Sequence, residues 1–270
     1  MDQPPFLPIA AGACRSDITN DACGADNISA KNKWYGDFTS LYWAWKNLKD
    51  VDIIGTSHYR RYLADDNLLS NWQDEYYLAW QGFMQRKYHV RRLMRLLKKC
   101  DFVMLHTLQF DRTVREQYIQ YHPFPENIDY VTEALQKVHP ESVDVWLQML
   151  EEKSLQLGYL FITRWEKFDE LCAWLYPLLL ELEKLIDVSQ YEGYQSRVIA
   201  FLYERLVPVF LRTKGYKIEQ RSVYFIDADS QETVSDYKWR YFEFLRMQMW
   251  RRIKSIIKKC LNYQNRHARV

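Results

Sequence analysis

The sequence predicts an α/β protein in which a mostly parallel sheet is covered by helices. Three observations lead there. Short apolar runs alternate with stretches of helical periodicity, and turn residues separate them. Of the 270 residues, 48% are apolar or aromatic, enough to build a sizeable core.

Taken in order, residues 6–12 (FLPIAAG) read as a short strand, and a loop rich in Asp, Asn and Gly runs from Ser16 to Asn32. A helix is predicted over 37–49, because Phe38, Leu41, Tyr42, Trp45 and Leu48 recur at helical spacing. Trp43 lies off that stripe, and core packing is the default for it as for Tyr42 and Trp45. Val51 to Gly55 reads as a buried strand and leads directly to His58-Tyr59-Arg60-Arg61-Tyr62. A basic helix is expected over 84–99 and a second strand over 101–105. Residues 112–152 read as helical pieces broken at Pro123, Pro125 and Pro140. Tyr159 to Thr163 is a third strand. A long helix over 165–187 carries Pro177 and a kink there, and another helix spans 193–212. A strand over 216–226 closes a globular domain set at 1–230, leaving 231–270 as a helical tail.

Composition narrows the function classes. Core packing explains most of the ten Trp and twenty Tyr, and a surplus also suits stacking on bases or sugar faces. The formal charge of +2 is unevenly spread. Residues 237–270 hold ten Lys or Arg and one acid, a local +9, which leaves −7 on the rest. Five scattered cysteines (Cys14, Cys23, Cys100, Cys172, Cys260) make no CxxC or Cys/His pattern, so reduced thiols and no metal site are expected. Leu7 to Cys14 lacks a preceding cation and a long apolar core, so it is read as no signal peptide. No run approaches the ~20 apolar residues of a membrane span.

Three groups of residues invite chemistry. His58, Tyr59, Arg60 and Arg61 follow a buried strand, at the kind of strand end where α/β sheets bind ligands. Arginine forks suit a diphosphate, although a surface pair snorkelling over a sheet edge has the same composition. Asp26, Asn27, Ser29 and Asn32 are ordinary turn and capping residues, and equally ordinary ligands of sugar hydroxyls. Gln195 and Arg197, with Glu204-Arg205 two turns on, form either a buried ion-pair network or a sugar-reading face.

Together these pieces resemble one family. PIAAGA at 8–13, DNISAKN at 26–32, LYWAWKN at 41–47 and G-x-x-HYRRY at 55–62 stand in the order seen in bacterial capsular and O-antigen polysaccharide glycosyltransferases long catalogued as a domain of unknown function. TVREQY at 113–118, LFI at 160–162, FDELCAWLYPLLLELEK at 168–184 and YEGYQSRVIAFLYERL at 191–206 continue the likeness.

The resemblance implies a type A glycosyltransferase fold that takes a UDP-sugar and transfers a hexosyl residue, galactofuranosyl or galactosyl. Most type A enzymes hold Mn²⁺ or Mg²⁺ on an Asp-x-Asp at a strand end. Here His58, Arg60 and Arg61 stand at that place, which implies that they meet the diphosphate without a metal. Arg197 is assigned to the same nucleotide-sugar site. For an inverting transfer the candidate bases are Asp26, Asp37 and Glu204, with Asp37 preferred because it matches a family acid. For a retaining one the candidate is Gln195. Two departures stand out: the family's opening strand with its His-Lys pair has no counterpart, and Tyr159 replaces an amide that faces sugar or acceptor. Both favour a competing reading, a catalytically degenerate sugar-nucleotide binder or partner subunit of a polysaccharide synthesis complex.

The tail reads as a basic amphipathic interfacial helix. Trp239, Trp250, Arg246, Arg251, Arg252, Lys254, Lys258 and Lys259 are its membrane-binding residues, each cation contributing about 1 kcal/mol at an anionic surface. Expected partners are therefore a UDP-sugar, a lipid-linked or polysaccharide acceptor and the inner membrane surface, not nucleic acid, and the expected place is cytoplasmic and peripheral. Flotation with anionic liposomes checks this: the full chain floats and a chain lacking 237–270 stays at the bottom.

Overall fold

The computed structural model describes residues 6–12, 18–65, 75–79, 90–227, 246, 249–250 and 253–254. The chain divides into two compact units, residues 1–76 with 88–224, and residues 77–87 with 225–270.

In chain order the elements are α1 (Asn32–Tyr35), α2 (Phe38–Asn47), β1 (Ile53–Gly55), β2 (Arg61–Leu63), β3 (Glu75–Ala79), α3 (Val90–Leu96), β4 (Phe102–Leu105), β5 (Leu108–Gln109), α4 (Val114–Tyr121), α5 (Glu126–Val138), α6 (Val143–Glu151), β6 (Ser154–Leu155), β7 (Phe161–Arg164), α7 (Trp165–Leu185), α8 (Val198–Thr213), β8 (Ile218–Arg221) and β9 (Val223–Asp227). The predicted α/β class is borne out. The first half of the expected 84–99 helix lies outside the described residues.

In the first unit, four strands form a sheet in the order β1-β7-β4-β8. β7 runs antiparallel to both neighbours, pairing Thr163 with Ile54 and Ile162 with Val103, while β4 and β8 are parallel. Hence β1, β4 and β8 share one direction and β7 opposes them. The sheet is mixed where a mostly parallel one was expected. Its cause is a long-range pairing: β6 pairs with β5, just past the carboxyl end of β4, so the chain enters β7 from that edge and must run back. All four residues of β4 are buried, as a central strand requires.

Helices α7 and α8 supply most of the core beside the sheet. α7 runs unbroken through Pro177, and α8 is buried at nearly every position. α8 contains Pro208, which has no N–H to give the carbonyl four residues earlier, that of Glu204. The N–H of Gly158 fills the vacancy, donating to the Glu204 carbonyl at 2.9 Å. To do so the chain must cross α8 at very short range. A Cβ on Gly158 would lie 2.7 Å and 2.9 Å from the two methyls of Val207.

One local expectation is corrected. Residues 6–12 form no strand; Ala10 makes a single bridge to Asn20. Trp43 is buried, with its indole N–H donating to the Cys23 carbonyl at 2.7 Å, while Tyr42 and Trp45 stay half-exposed. The reason is that the preceding loop folds over α2. Buried Asp21 anchors it, accepting from the Gly12 N–H (3.0 Å) and from the Ser29 and Thr39 hydroxyls.

In the second unit, Arg246, Met249, Trp250, Ile253 and Lys254 are helical, and Met249 and Trp250 are exposed. Trp239, Arg251, Arg252, Lys258 and Lys259 lie outside the described residues. Among the described residues no helix is long and apolar enough to cross a membrane.

Gly158→Ala should cost about 1–3 kcal/mol, as overpacking of a close-packed core does. The midpoint of urea unfolding should fall, and Lys214→Arg at an exposed position should leave it in place.

Candidate active site

Because β1, β4 and β8 point the same way, the segments after them emerge at one edge. His58 follows β1, His106 follows β4, and Arg221 ends β8. Leu157 and Tyr159, leading into β7, start at that same edge. Opposite stand Asp37, between α1 and α2, and Arg197 and Glu204 from α8 and the turn before it. These groups enclose a cleft of about 320 Å³. Open α/β sheets bind ligands at such strand ends.

The cleft is cation-rich. His58 and Arg61 close a tight turn through mutual backbone hydrogen bonds of 3.1 and 3.0 Å, which carries Tyr59 and Arg60 to its tip. The Arg60 N–H donates to His58 Nδ1 at 3.4 Å, so that nitrogen is unprotonated. Burial holds His58 below its ordinary pKa, and Arg61, Arg197 and Arg60 lower it further against the opposing pull of Asp37. The imidazole is therefore neutral at pH 7 and carries its proton on Nε2. Arg61 lies over the Tyr159 ring at 5.6 Å. Arg221 is buried and held by Glu219 at 2.6 Å.

His106 is fixed from below. Gln220 Oε1 accepts from the Thr107 N–H at 3.2 Å and meets His106 Nδ1 at 3.1 Å, making Nδ1 the donor. His106 Nε2 is buried and without a hydrogen-bond partner among the described residues.

Glu204 faces this array. Burial raises its carboxyl from 4.5 to about 7; Asp37 adds to the rise, while Arg205 and Arg61 oppose it. A carboxyl poised near neutrality suits proton transfer.

A family model described as Domain of unknown function (DUF4422) matches residues 1–215. The chain belongs to the DUF4422 family. Among curated proteins none matches it. The apo structure of WbbM, a bifunctional glycosyltransferase, shares the fold with a TM-score of 0.75 at 20% identity. That likeness covers 84% of this chain and 43% of WbbM, so this DUF4422 chain spans less than half of WbbM's length.

A divalent cation takes several oxygen ligands, chiefly carboxylates. Among the described residues of the DUF4422 chain no group of three or more His, Cys, Asp or Glu has metal-holding geometry. The ionisable side chains of the cleft are three arginines, two histidines and the carboxyls of Asp37 and Glu204, with two phenol-bearing tyrosines beside them.

Of the residues singled out from sequence, His58, Arg61, Arg197, Asp37 and Glu204 are brought together in the cleft. Tyr59 is exposed and Arg60 sits at the turn's tip, and neither lines it. Asp26, Asn27, Ser29 and Asn32 do not line it either. Asp26 accepts from the Tyr42 hydroxyl at 2.8 Å, and Asn27 donates to the Gly24 carbonyl at 2.9 Å. Ser29 is buried on Asp21, and Asn32 donates to the Gly36 carbonyl at 2.7 Å. Gln195 is also outside, donating to the Tyr121 carbonyl (2.9 Å) and meeting His122 Nδ1 (2.9 Å). Sequence reasoning missed His106 and Arg221. Their signal was the one that marked His58, a polar side chain at the end of a buried strand.

The two shifted groups predict opposite pH limbs. Glu204 binds its proton more tightly when folded, so its contribution to stability is full at acid pH and is lost as pH rises from 4.5 through about 7. Burial lowers His122 to about 4, so its contribution is present above 6.5 and is lost as pH falls toward 4. Glu204→Gln should therefore raise the melting temperature at pH 8 relative to the parent, and should retain the acid-side loss, when unfolding is followed by fluorescence.

Proposed function

We propose that this DUF4422 chain is a glycosyltransferase that moves a hexosyl residue, galactofuranosyl or galactosyl, from a UDP-sugar to a lipid-linked or growing surface polysaccharide. One observation carries the reading: three arginines, two imidazoles and one poised carboxyl converge at the strand ends of a glycosyltransferase fold.

The roles follow from charge. Arg61, Arg197 and Arg221, with the neutral Nε2–H of His58, meet the donor's diphosphate. As the bond from the anomeric carbon to the phosphate oxygen breaks, its electron pair leaves with the diphosphate, and fixed cations stabilise that growing charge. Glu204, ionised, takes the proton of the acceptor hydroxyl while that oxygen bonds to the anomeric carbon. Such a single displacement inverts the anomeric centre. Asp37 keeps the Glu204 carboxyl basic through repulsion, a supporting role. Cations in place of a metal cluster make the transfer metal-independent.

The place of work is the inner face of the cell membrane, where sugar nucleotides meet lipid carriers. Exposed Met249 and Trp250, helical residues as Arg246 and Lys254 are, support it.

Calorimetry with UDP and UDP-galactose tests the donor site. Arg61→Ala should weaken binding by about ten-fold or more, the worth of a charge-assisted hydrogen bond. Transfer should survive excess EDTA; loss restored by Mn²⁺ would overturn the metal-free mechanism. Tight UDP binding with no transfer to any lipid-linked acceptor would instead favour a degenerate binder.

A further inference from the structure

Glu204 borders a second chamber of about 370 Å³, which shares Leu108, Leu157, Tyr194, Phe201 and Glu204 with the first. Its remaining wall comes from β5 and α4 and the residues around them, and its chemistry differs from that of the first.

Two exposed aromatic rings stand at it. Tyr121 is 60% and Tyr194 69% exposed, values at which a ring has apolar area waiting for a partner. The Tyr194 ring is braced 5.0 Å from Phe201. Flat tyrosine faces pack well on the C–H faces of a sugar.

The polar groups are set for hydroxyls and not for phosphate. Arg112 is already spent, holding Asp111 bidentately at 2.8 and 2.8 Å and Gln120 at 2.6 Å. Arg205 donates to the Phe201 carbonyl at 2.8 Å and to Gln117 at 2.7 Å. Neither guanidinium has the open fork that a diphosphate needs.

His122 completes the set. Gln195 uses its amide nitrogen on the Tyr121 carbonyl, so its oxygen accepts, and His122 Nδ1 is the donor. Gln195 lies outside the chamber and His122 lines it, which leaves Nε2 as the ring nitrogen available there. Burial keeps the imidazole neutral, so Nε2 is a fixed hydrogen-bond acceptor suited to a sugar O–H. Gln195 is in this view a positioning residue that locks the tautomer.

We propose that this second chamber is the acceptor subsite, taking a neutral hexose residue of a glycan and holding one of its hydroxyls against Glu204. The assignment rests on the first cleft being the donor site, and it names what that site acts upon. Tyr121 and Tyr194 stack on the sugar, His122 Nε2 accepts from a hydroxyl beside the reacting one, and Glu204 stands where the two chambers meet.

Saturation-transfer NMR on the full chain tests this, with octyl β-D-galactopyranoside and octyl β-D-glucopyranoside as probes and UDP affinity measured on the same samples. The parent chain should bind at least one glycoside. Tyr121→Ala, at an exposed position, and His122→Asn should each weaken that binding by about ten-fold. UDP affinity should stay within about two-fold of the parent in both. Gln195→Ala should weaken glycoside binding and shift the His122 ring resonances, which a merely structural role would not couple. Undiminished glycoside binding in Tyr121→Ala and His122→Asn, or none by the parent, would overturn the subsite. A parent that binds glycoside but not UDP would sink the donor reading and leave the sugar subsite standing.

Discussion

A missing N–H organises this molecule. Pro208 cannot donate to the Glu204 carbonyl, and Gly158 does so instead, from a loop on the other side of the cleft. Only a residue without a side chain can come that near, since Val207 already fills the space. One backbone bond thus sets the distance between α8 and the entry to β7. Tyr159 is the next residue along, and its ring lies under Arg61. The spacing of acid, aromatic and cation across the cleft depends on that single crossing.

The second organising effect is burial acting on ionisable groups of opposite kind. The desolvation that lifts the Glu204 carboxyl also lowers the His58 and His122 imidazoles. At neutral pH the site therefore holds neutral imidazoles as directed donors and acceptors, and one carboxyl free to change state. Fixed charge is left to the arginines. They divide by chamber: Arg61, Arg197 and Arg221 line the first cleft, and Arg112 and Arg205 of the second hold Asp111, Gln120, Gln117 and a backbone carbonyl. The two cavities adjoin, and Glu204 is among the residues that line both.

The loop before α2 shows where reading residues in order goes astray. Asp26, Asn27, Ser29 and Asn32 have the right chemistry for sugar hydroxyls, but their hydrogen bonds go to the loop itself, to α1 and α2. Asp21, fully buried and bonded to Gly12, Ser29 and Thr39, does the anchoring and has no distinguishing local pattern. The same loop buries Trp43, which lies off the apolar stripe of α2. A helix covered on two sides defeats a one-stripe pattern.

The sequence alone determined the α/β class, the positions of the main helices and strands, the family, and His58 and Arg61 at a strand end. Each of these is written in nearest-neighbour spacing, in turn residues or in contiguous motifs. Tertiary structure decided the reversal of β7, because that depends on β6 finding β5 across a long gap. It also decided that His106 and Arg221 join His58, since only co-directional strands bring their ends to one edge. The protonation of Glu204 was settled there too, because desolvation is a property of everything packed around a group and of none of its neighbours in the chain.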